Sequence, residues 1–430
     1  MAIVLVAALV ALRRPWIGVL LWTWLSLMSP HRYAYGFAYD APVAAVAAVT
    51  TLLGLLMTRE RYSPFRAAPP VWLLLLTIWI TLSWAFGIDP SGDYPMWDKV
   101  IKINVMVLVS IALLHSRQHI LAFVWVVTGS LAILGMKGGL FTLLSGGEYR
   151  VYGPPDSFVE ENNSFSLALI MTIPLLRFLQ QQLPVGWRRH ALTAAMLLCA
   201  AAALGSYSRG GFIAIAAMTL VLWWRGKSRL KSGLVLTVVA VSLLAFMPAQ
   251  WTERMSTINN YQTDDSVQGR FDAWRNAWAV AKDYPLGAGL NPNRQDFFNR
   301  YSSGTQARAA HSIYFQILGN HGFVGLFLYL GLFGSAFLLA GRLRRQARTV
   351  PQAQWCEQLA AMCQVSLVGY FVGGAFLSLA YYDLPYNVMV IIVIAYTWFK
   401  RQAWISEPVY SYRWWSVPGL PTAPTAGARP

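Results

Sequence analysis

The sequence predicts an all-α polytopic membrane protein with about twelve transmembrane helices. Three observations predict it. The 430 residues are 56% hydrophobic and only 12% charged. The apolar residues fall in runs of about 15 to 25, the length that crosses a bilayer as a helix. The basic residues cluster in the short connections between those runs, where they act as topology signals. A net charge of +16 on a soluble protein would suggest nucleic acid, but its placement at the ends of apolar runs argues against that partner.

In chain order the apolar runs lie near residues 2–12, 16–29, 41–57, 71–86, 98–114, 119–144, 162–179, 190–206, 209–224, 232–248, 312–340, 358–380 and 386–399. The first is short for a span and is expected as a partial or interfacial helix. It lacks a preceding basic region and a small-residue cleavage site, so it reads as retained. Every second connection is basic: Arg13-Arg14, 59–66, Arg117, Arg188-Arg189, 225–231, 342–348 and Lys400-Arg401. By the positive-inside rule that side faces the cytoplasm. The other connections hold Asp40, Asp89, Asp93, Asp98, Glu148, Asp156, Glu160, Glu161 and Asp383, together with one long polar segment, and are expected outside it.

The expected organisation is therefore N-terminal membrane helices over 1–248, an extracytoplasmic loop over 249–311, C-terminal membrane helices over 312–400, and a cytoplasmic tail over 401–430. The tail is rich in Pro, Tyr and Trp and reads as interfacial and then disordered. Cys199, Cys356 and Cys363 all lie in or beside apolar runs, which argues against a disulfide framework and a cysteine metal site.

The long polar segment, about sixty residues from Trp251 to His311, carries seven cationic side chains: Arg254, Arg270, Arg275, Lys282, Arg294, Arg300 and Arg308. In a chain that is otherwise lipid-soluble, this segment and the polar groups able to reach it are where chemistry is expected.

Four such groups share the extracytoplasmic side. The first is Lys137-Gly138-Gly139, then Arg150, Tyr152 and Glu160-Glu161-Asn162-Asn163. Its glycines allow close approach of backbone amides to a ligand, and Lys137, Arg150 and Tyr152 suit oxyanions. The plainer reading is a turn-rich connector with a snorkelling lysine. The second is Tyr207-Ser208-Arg209-Gly210-Gly211, which places Arg209 at the membrane surface. It is either a snorkelling helix-end arginine or a ligand for an anion.

The third is Gly269-Arg270-Phe271-Asp272-Ala273-Trp274-Arg275-Asn276-Ala277-Trp278. Phe271, Trp274 and Trp278 share one face of an amphipathic helix expected to lie along the membrane surface. Arg270 offers a planar fork of donors suited to phosphate, unless it merely pairs with Asp272 or Asp265. The fourth is His311-Ser312-Ile313-Tyr314, leading into Gly319-Asn320-His321-Gly322. A lone histidine at a helix start is more often structural, but at the end of a cationic loop a neutral imidazole is well matched to taking a proton from a sugar hydroxyl.

HExxH, CxxC, G-x-S-x-G and the Walker loop are all missing, and Asp264-Asp265 are adjacent rather than spaced as Asp-x-Asp. The expectation is a site without metal or cofactor, in which Arg and Lys neutralise charge.

Ser208-Arg209-Gly210, Gly269-Arg270 with Trp274, Pro285-Leu286-Gly287-Ala288-Gly289-Leu290-Asn291, and His311-Ser312-Ile313-Tyr314 followed by Gly319, Gly322 and Gly325 together resemble the O-antigen ligase and polymerase superfamily. The stretch from Lys137 to Asn163 is similar to the O-glycosylation ligases associated with exosortase systems. The resemblance covers residues 130–340 in motif and the full length in topology. It implies a GT-C-type glycosyltransferase in the bacterial inner membrane, facing the periplasm, that moves a glycan from undecaprenyl diphosphate to lipid A-core. It further implies His311 as catalytic base and Arg209 and Arg270 as ligands of the diphosphate. Arg150 and Lys137 are second candidates for that role, and Tyr152, Asn162, Asn163, Arg275 and Tyr314 are further candidates for substrate binding. The family commonly has His-Asn where this chain has His311-Ser312, so nothing is carried over to Ser312. An O-antigen polymerase and a protein O-oligosaccharyltransferase are the neighbouring readings. A flippase of lipid-linked glycan is the rival from another class, disfavoured because the polar residues gather at one face rather than near the midplane.

Overall fold

The structure is a computed structural model and describes residues 1–225, 228–256, 265–291, 295–301 and 307–407. Arg294, Asp264 and the tail from 408 onward, all included in the expectations above, lie outside the described residues. The described chain is helical. In order the helices are α1 (Ala2–Arg13), α2 (Pro15–Met28), α3 (Val43–Met57), α4 (Ala68–Ala85), α5 (Pro90–Leu113), α6 (Arg117–Leu144), α7 (Asn162–Gln182) and α8 (Trp187–Gly205). There follow α9 (Arg209–Arg225), α10 (Arg229–Phe246), α11 (Ala249–Ser256), α12 (Asp265–Asp283), α13 (Gln295–Tyr301), α14 (Ile313–Ala347), α15 (Gln354–Gly374) and α16 (Asp383–Lys400).

Each apolar run of the sequence coincides with one helix, and α11 to α13 fall in the polar loop. Among the described residues α4, α6, α7, α10 and α14 are both long and apolar enough to cross a membrane. The protein is thus a polytopic, membrane-embedded helical protein. The helix starts are set by local chemistry. Asp89 accepts from the Gly92 amide at 3.0 Å with Pro90 in the first position, which opens α5 well before its apolar run begins. Ser116 caps α6 through the His119 amide at 3.1 Å, and Ser208 caps α9 through the Gly211 amide at 3.0 Å.

Burial separates the helices. α7 and α16 are enclosed on almost every side, whereas α10 has no buried residue although it is apolar all round. α10 leans on α9 along one side, and the remaining faces of a helix apolar all round need lipid as their solvent. α6 packs along α8, α7 lies against α8 and α15, and α14 lies against α4 and α15. Small residues permit the closest of these approaches. A Cβ on Gly139 would stand 2.2 Å from the Leu198 carbonyl oxygen, and one on Gly138 would stand 2.7 Å from Val151. This corrects the expected role of that pair: Gly138 and Gly139 sit inside α6 and let α8 and Val151 approach, in place of presenting amides to a ligand.

The connections sort into two ends. At one end Arg401 donates to the His115 carbonyl at 2.6 Å, Arg117 lies over Trp355, and Gln182 bonds Gln358 at 2.7 Å, so the basic connections meet there. At the other end Arg32 pairs with Asp40 at 3.1 Å and Asp156 at 3.4 Å, and Tyr39 donates to Asp156 at 2.7 Å. The acidic connections and the polar loop belong to this second end.

Candidate active site

The second end is assembled by five hydrogen bonds that join the polar groups of the sequence. Asn162, in the first turn of α7, donates to the Ser206 carbonyl at 2.6 Å and so holds the turn that precedes Arg209. The Tyr207 hydroxyl donates to the Gly147 carbonyl at 2.6 Å, and the Val151 amide to the Gly205 carbonyl at 3.1 Å. Trp251, at the start of the loop, donates to the Leu204 carbonyl at 2.9 Å. Finally Trp274 of α12 donates to the Ala310 carbonyl at 2.7 Å, immediately before His311.

Two residues in these turns have left-handed backbones although they are not glycine: Tyr207 at φ 59° and His311 at φ 43°. Such a conformation costs an L residue roughly 1–2 kcal/mol, and it persists only where surrounding contacts hold it. At His311 the contacts are those of the Trp274 ring. It is stacked on Phe315 with centroids 4.8 Å apart and planes 6° apart, so α12 clamps the start of α14 from outside. The aromatic face expected to lie along a membrane surface is turned toward α14: Trp278 also meets Phe323 edge to face at 5.2 Å.

The same clamp sets the charge around His311. Its imidazole is half-buried, and burial lowers its pKa from the ordinary value; the Arg270 guanidinium lowers it further, and Glu161 opposes both. Arg270 and Glu161, 109 positions apart in sequence, are thus the charges the imidazole feels. Arg270 stands one turn before Trp274 on α12. Arg308 lies across Gly269, where any Cβ would meet its guanidinium at 2.2 Å. Asp272 is taken by Arg275, 3.3 Å away, rather than by Arg270. Arg275 is thereby a solvent-facing i,i+3 pair, 70% exposed, the plain reading of a surface charge.

Arg209 opens α9 and is half-buried. Its turn and the start of α14 share a wall, the end of α15 and the residues just after it: a Cβ on Gly210 would stand 3.0 Å from Phe376, and one on Gly374 would stand 2.7 Å from Ile313. Arg150 is exposed and lies over the Tyr207 ring at 5.9 Å. Tyr152 is 58% exposed, and Asn163 is half-buried beside Asn162. Lys137 stands over the Tyr33 ring at 4.6 Å, in the neighbouring cluster of Arg32 and Tyr39. Tyr314 donates its hydroxyl to the Phe371 carbonyl at 2.9 Å and so braces α14 on α15.

A second set of residues carried no assigned role in the sequence. Gly322 takes φ 67° and breaks α14, which frees the carbonyls of Asn320 and His321. The amides of Ala288 and Gly289 donate to the Asn320 carbonyl at 2.9 and 3.2 Å, and Trp79 donates to the His321 carbonyl at 2.8 Å. Asp93 accepts from the Leu290 amide at 2.6 Å, the Asn320 side chain donates to the Leu290 carbonyl at 3.0 Å, and Tyr381 meets both Asn320 and His321 at 2.7 Å. The loop after α12 is thereby bolted into the membrane bundle. The signal available in the sequence was a set of polar side chains within or beside apolar runs. Among the described residues no three His, Cys, Asp or Glu side chains converge as metal ligands.

What the arrangement offers is a base biased toward its neutral form, cations beside it, and a loop held at both ends. Residues 1–183 match a family of unknown function (DUF5935), and residues 194–330 match the O-antigen ligase family. No curated protein matches the chain. The matched domain contains Arg209, Arg270 and His311 and supports assignment to the O-antigen ligase and polymerase superfamily.

Proposed function

We propose that this protein is an O-antigen ligase, a metal-independent, inverting glycosyltransferase of GT-C type with about twelve spans in the bacterial inner membrane. It takes a glycan from undecaprenyl diphosphate and joins it to lipid A-core on the periplasmic face, in lipopolysaccharide biosynthesis. The observation that carries the reading is the position of His311: at the end of the cationic loop, beside Arg270, in surroundings that favour the neutral imidazole.

His311 removes the proton of an acceptor hydroxyl as that oxygen attacks the anomeric carbon. The bond from that carbon to the diphosphate oxygen breaks from the opposite side, which inverts the centre. The proton stays on the imidazole and the electron pair leaves with the lipid diphosphate. Arg209 and Arg270 hold the charge that develops on the departing oxygen, assisted by Arg150 and Lys137; each such donor contributes about 10²–10³ in rate in comparable sites. A diphosphate is already a good leaving group, so positioning and charge stabilisation suffice. Asn162 holds the Arg209 turn and Tyr314 braces the helix behind His311, which makes both positioning residues.

The test is an assay of purified protein with lipid diphosphate glycan and lipid A-core, without nucleotide and with chelator. Ligated product is expected, and His311→Ala should abolish it while donor still binds. Strict dependence on a divalent ion would overturn the mechanism. Extension of the lipid-linked glycan in place of ligation would make the protein a polymerase.

A further inference from the structure

A cavity opens at the end of the bundle away from His311. It has a volume of about 850 Å³ and lies where the α1–α2 turn, the end of α3 and the α5–α6 turn come together. α6 starts at this cavity and ends beside the Tyr207 turn; 28 residues at a rise of 1.5 Å put the two about 42 Å apart.

Its lining has two characters. Arg13, Arg14 and Arg59 contribute three positive charges against the single carboxylate of Glu60. Trp16 and His119, stacked with centroids 4.4 Å apart, form a flat wall beside Gln118. Leu12, Met57 and Leu113 supply an apolar floor. That floor is not closed off. It continues onto the outward faces of α1 and α3, where Leu9, Leu56 and Met57 are 67%, 73% and 72% exposed and have lipid as their solvent. A site that is cationic at its mouth and open along lipid-facing helices fits a molecule with a phosphate at one end and acyl chains at the other. A free phosphate would use the arginines alone and leave the apolar part and most of the volume unfilled. Clusters of Arg beside a span are also topology signals, but a topology signal needs neither a cavity nor an aromatic wall.

We infer that this cavity binds the headgroup of an anionic phospholipid, held by the guanidinium groups of Arg13, Arg14 and Arg59, with its chains lying on α1 and α3. Guanidinium grips a phosphate bidentately and survives partial desolvation better than ammonium. The site stands apart from the proposed transfer chemistry, and its test does not depend on that activity.

The experiment is native mass spectrometry of the full-length protein, titrated with phosphatidylglycerol, with phosphatidylcholine of the same chains, and with inorganic phosphate. Phosphatidylglycerol should be retained at a concentration at least ten-fold lower than phosphatidylcholine, and inorganic phosphate should not displace it. The triple variant Arg13→Gln, Arg14→Gln, Arg59→Gln should lose that preference, whereas Arg342→Gln, Arg345→Gln, Arg348→Gln at the same end should keep it. Gln118→Trp fills the cavity without changing a charge and should also lower phosphatidylglycerol retention, which decides the matter if the triple variant inserts poorly. Equal retention of the two lipids, displacement by inorganic phosphate, or full retention in Gln118→Trp would each overturn the assignment.

Discussion

Trp274 donates its indole N–H to the carbonyl of Ala310 at 2.7 Å, and through that one bond α12 fixes the backbone on which His311 stands. The bond joins two segments that the sequence separates by 36 positions. It also explains how His311 is held at φ 43° with a cationic helix alongside. Trp274→Phe keeps a ring for the stack on Phe315 and removes only the donor. The expected result is a loss in turnover of roughly ten- to a hundred-fold with donor affinity retained, since small misplacements of a base cost about that much. Steady-state kinetics beside a lipid-donor binding measurement checks it; a change confined to donor affinity would remove the positioning role.

The two charges felt by His311 make opposite pH predictions. Burial and Arg270 lower its pKa below the ordinary 6.5, and Glu161 raises it. A base works when unprotonated, so activity should fall as pH drops through that lowered pKa, with the acid limb below pH 6.5. Arg270→Gln removes a charge that opposes protonation and should move the limb to higher pH, besides lowering the rate. Glu161→Gln removes a charge that favours protonation and should move it to lower pH. A profile of kcat against pH for the three proteins checks both signs, and limbs that coincide would mean His311 is not the titrating group.

The helices were legible because an apolar run of bilayer length leaves the backbone little alternative to a helix. Their ends were less so: α5 begins at Pro90 because Asp89 caps it, a signal carried by polar residues ahead of the apolar run at 98. The polar islands around Arg209, Arg270 and His311 were visible against that background for the same reason. What stayed hidden was which residues meet across it. Gly138 and Gly139 read as a ligand cradle or a turn-rich connector, and their role as a helix contact emerges only when α8 is placed beside them. Asp93, Asn320 and Tyr381 have partners about 30 to nearly 200 positions away, which no local pattern announces.

Tyr381 is the hub of the bolt that holds the loop after α12. Its hydroxyl meets the Asn320 amide and His321 Nε2, each at 2.7 Å, and all three side chains are buried. Tyr381→Phe leaves those groups short of a partner at a cost of about 1–3 kcal/mol. The amides of Ala288, Gly289 and Leu290 should then exchange hydrogen faster, and transfer should weaken as the loop loosens. Asp93→Ala, which removes the acceptor for the Leu290 amide, should do the same. Hydrogen exchange read by mass spectrometry checks both, and unchanged protection at 288–290 would mean the loop is held elsewhere.

Two glycines of α6 separate packing from propensity. Gly139 stands against α8, and a Cβ there would lie 2.2 Å from a backbone oxygen, which cannot swing aside as a side chain does. Gly139→Ala must push α6 and α8 apart, at a cost of about 1–3 kcal/mol. Because α8 leads into the turn that Asn162 and Tyr207 hold, the same displacement should reach Arg209 and reduce transfer. At Gly129, ten residues earlier on the same helix, a Cβ would meet nothing within 4 Å. Gly129→Ala should therefore stabilise by about 0.5–1 kcal/mol through helix propensity alone and leave transfer unchanged. Thermal unfolding of the two variants in one detergent checks the contrast. Equal shifts would mean that the α6–α8 interface yields more easily than a contact this close allows.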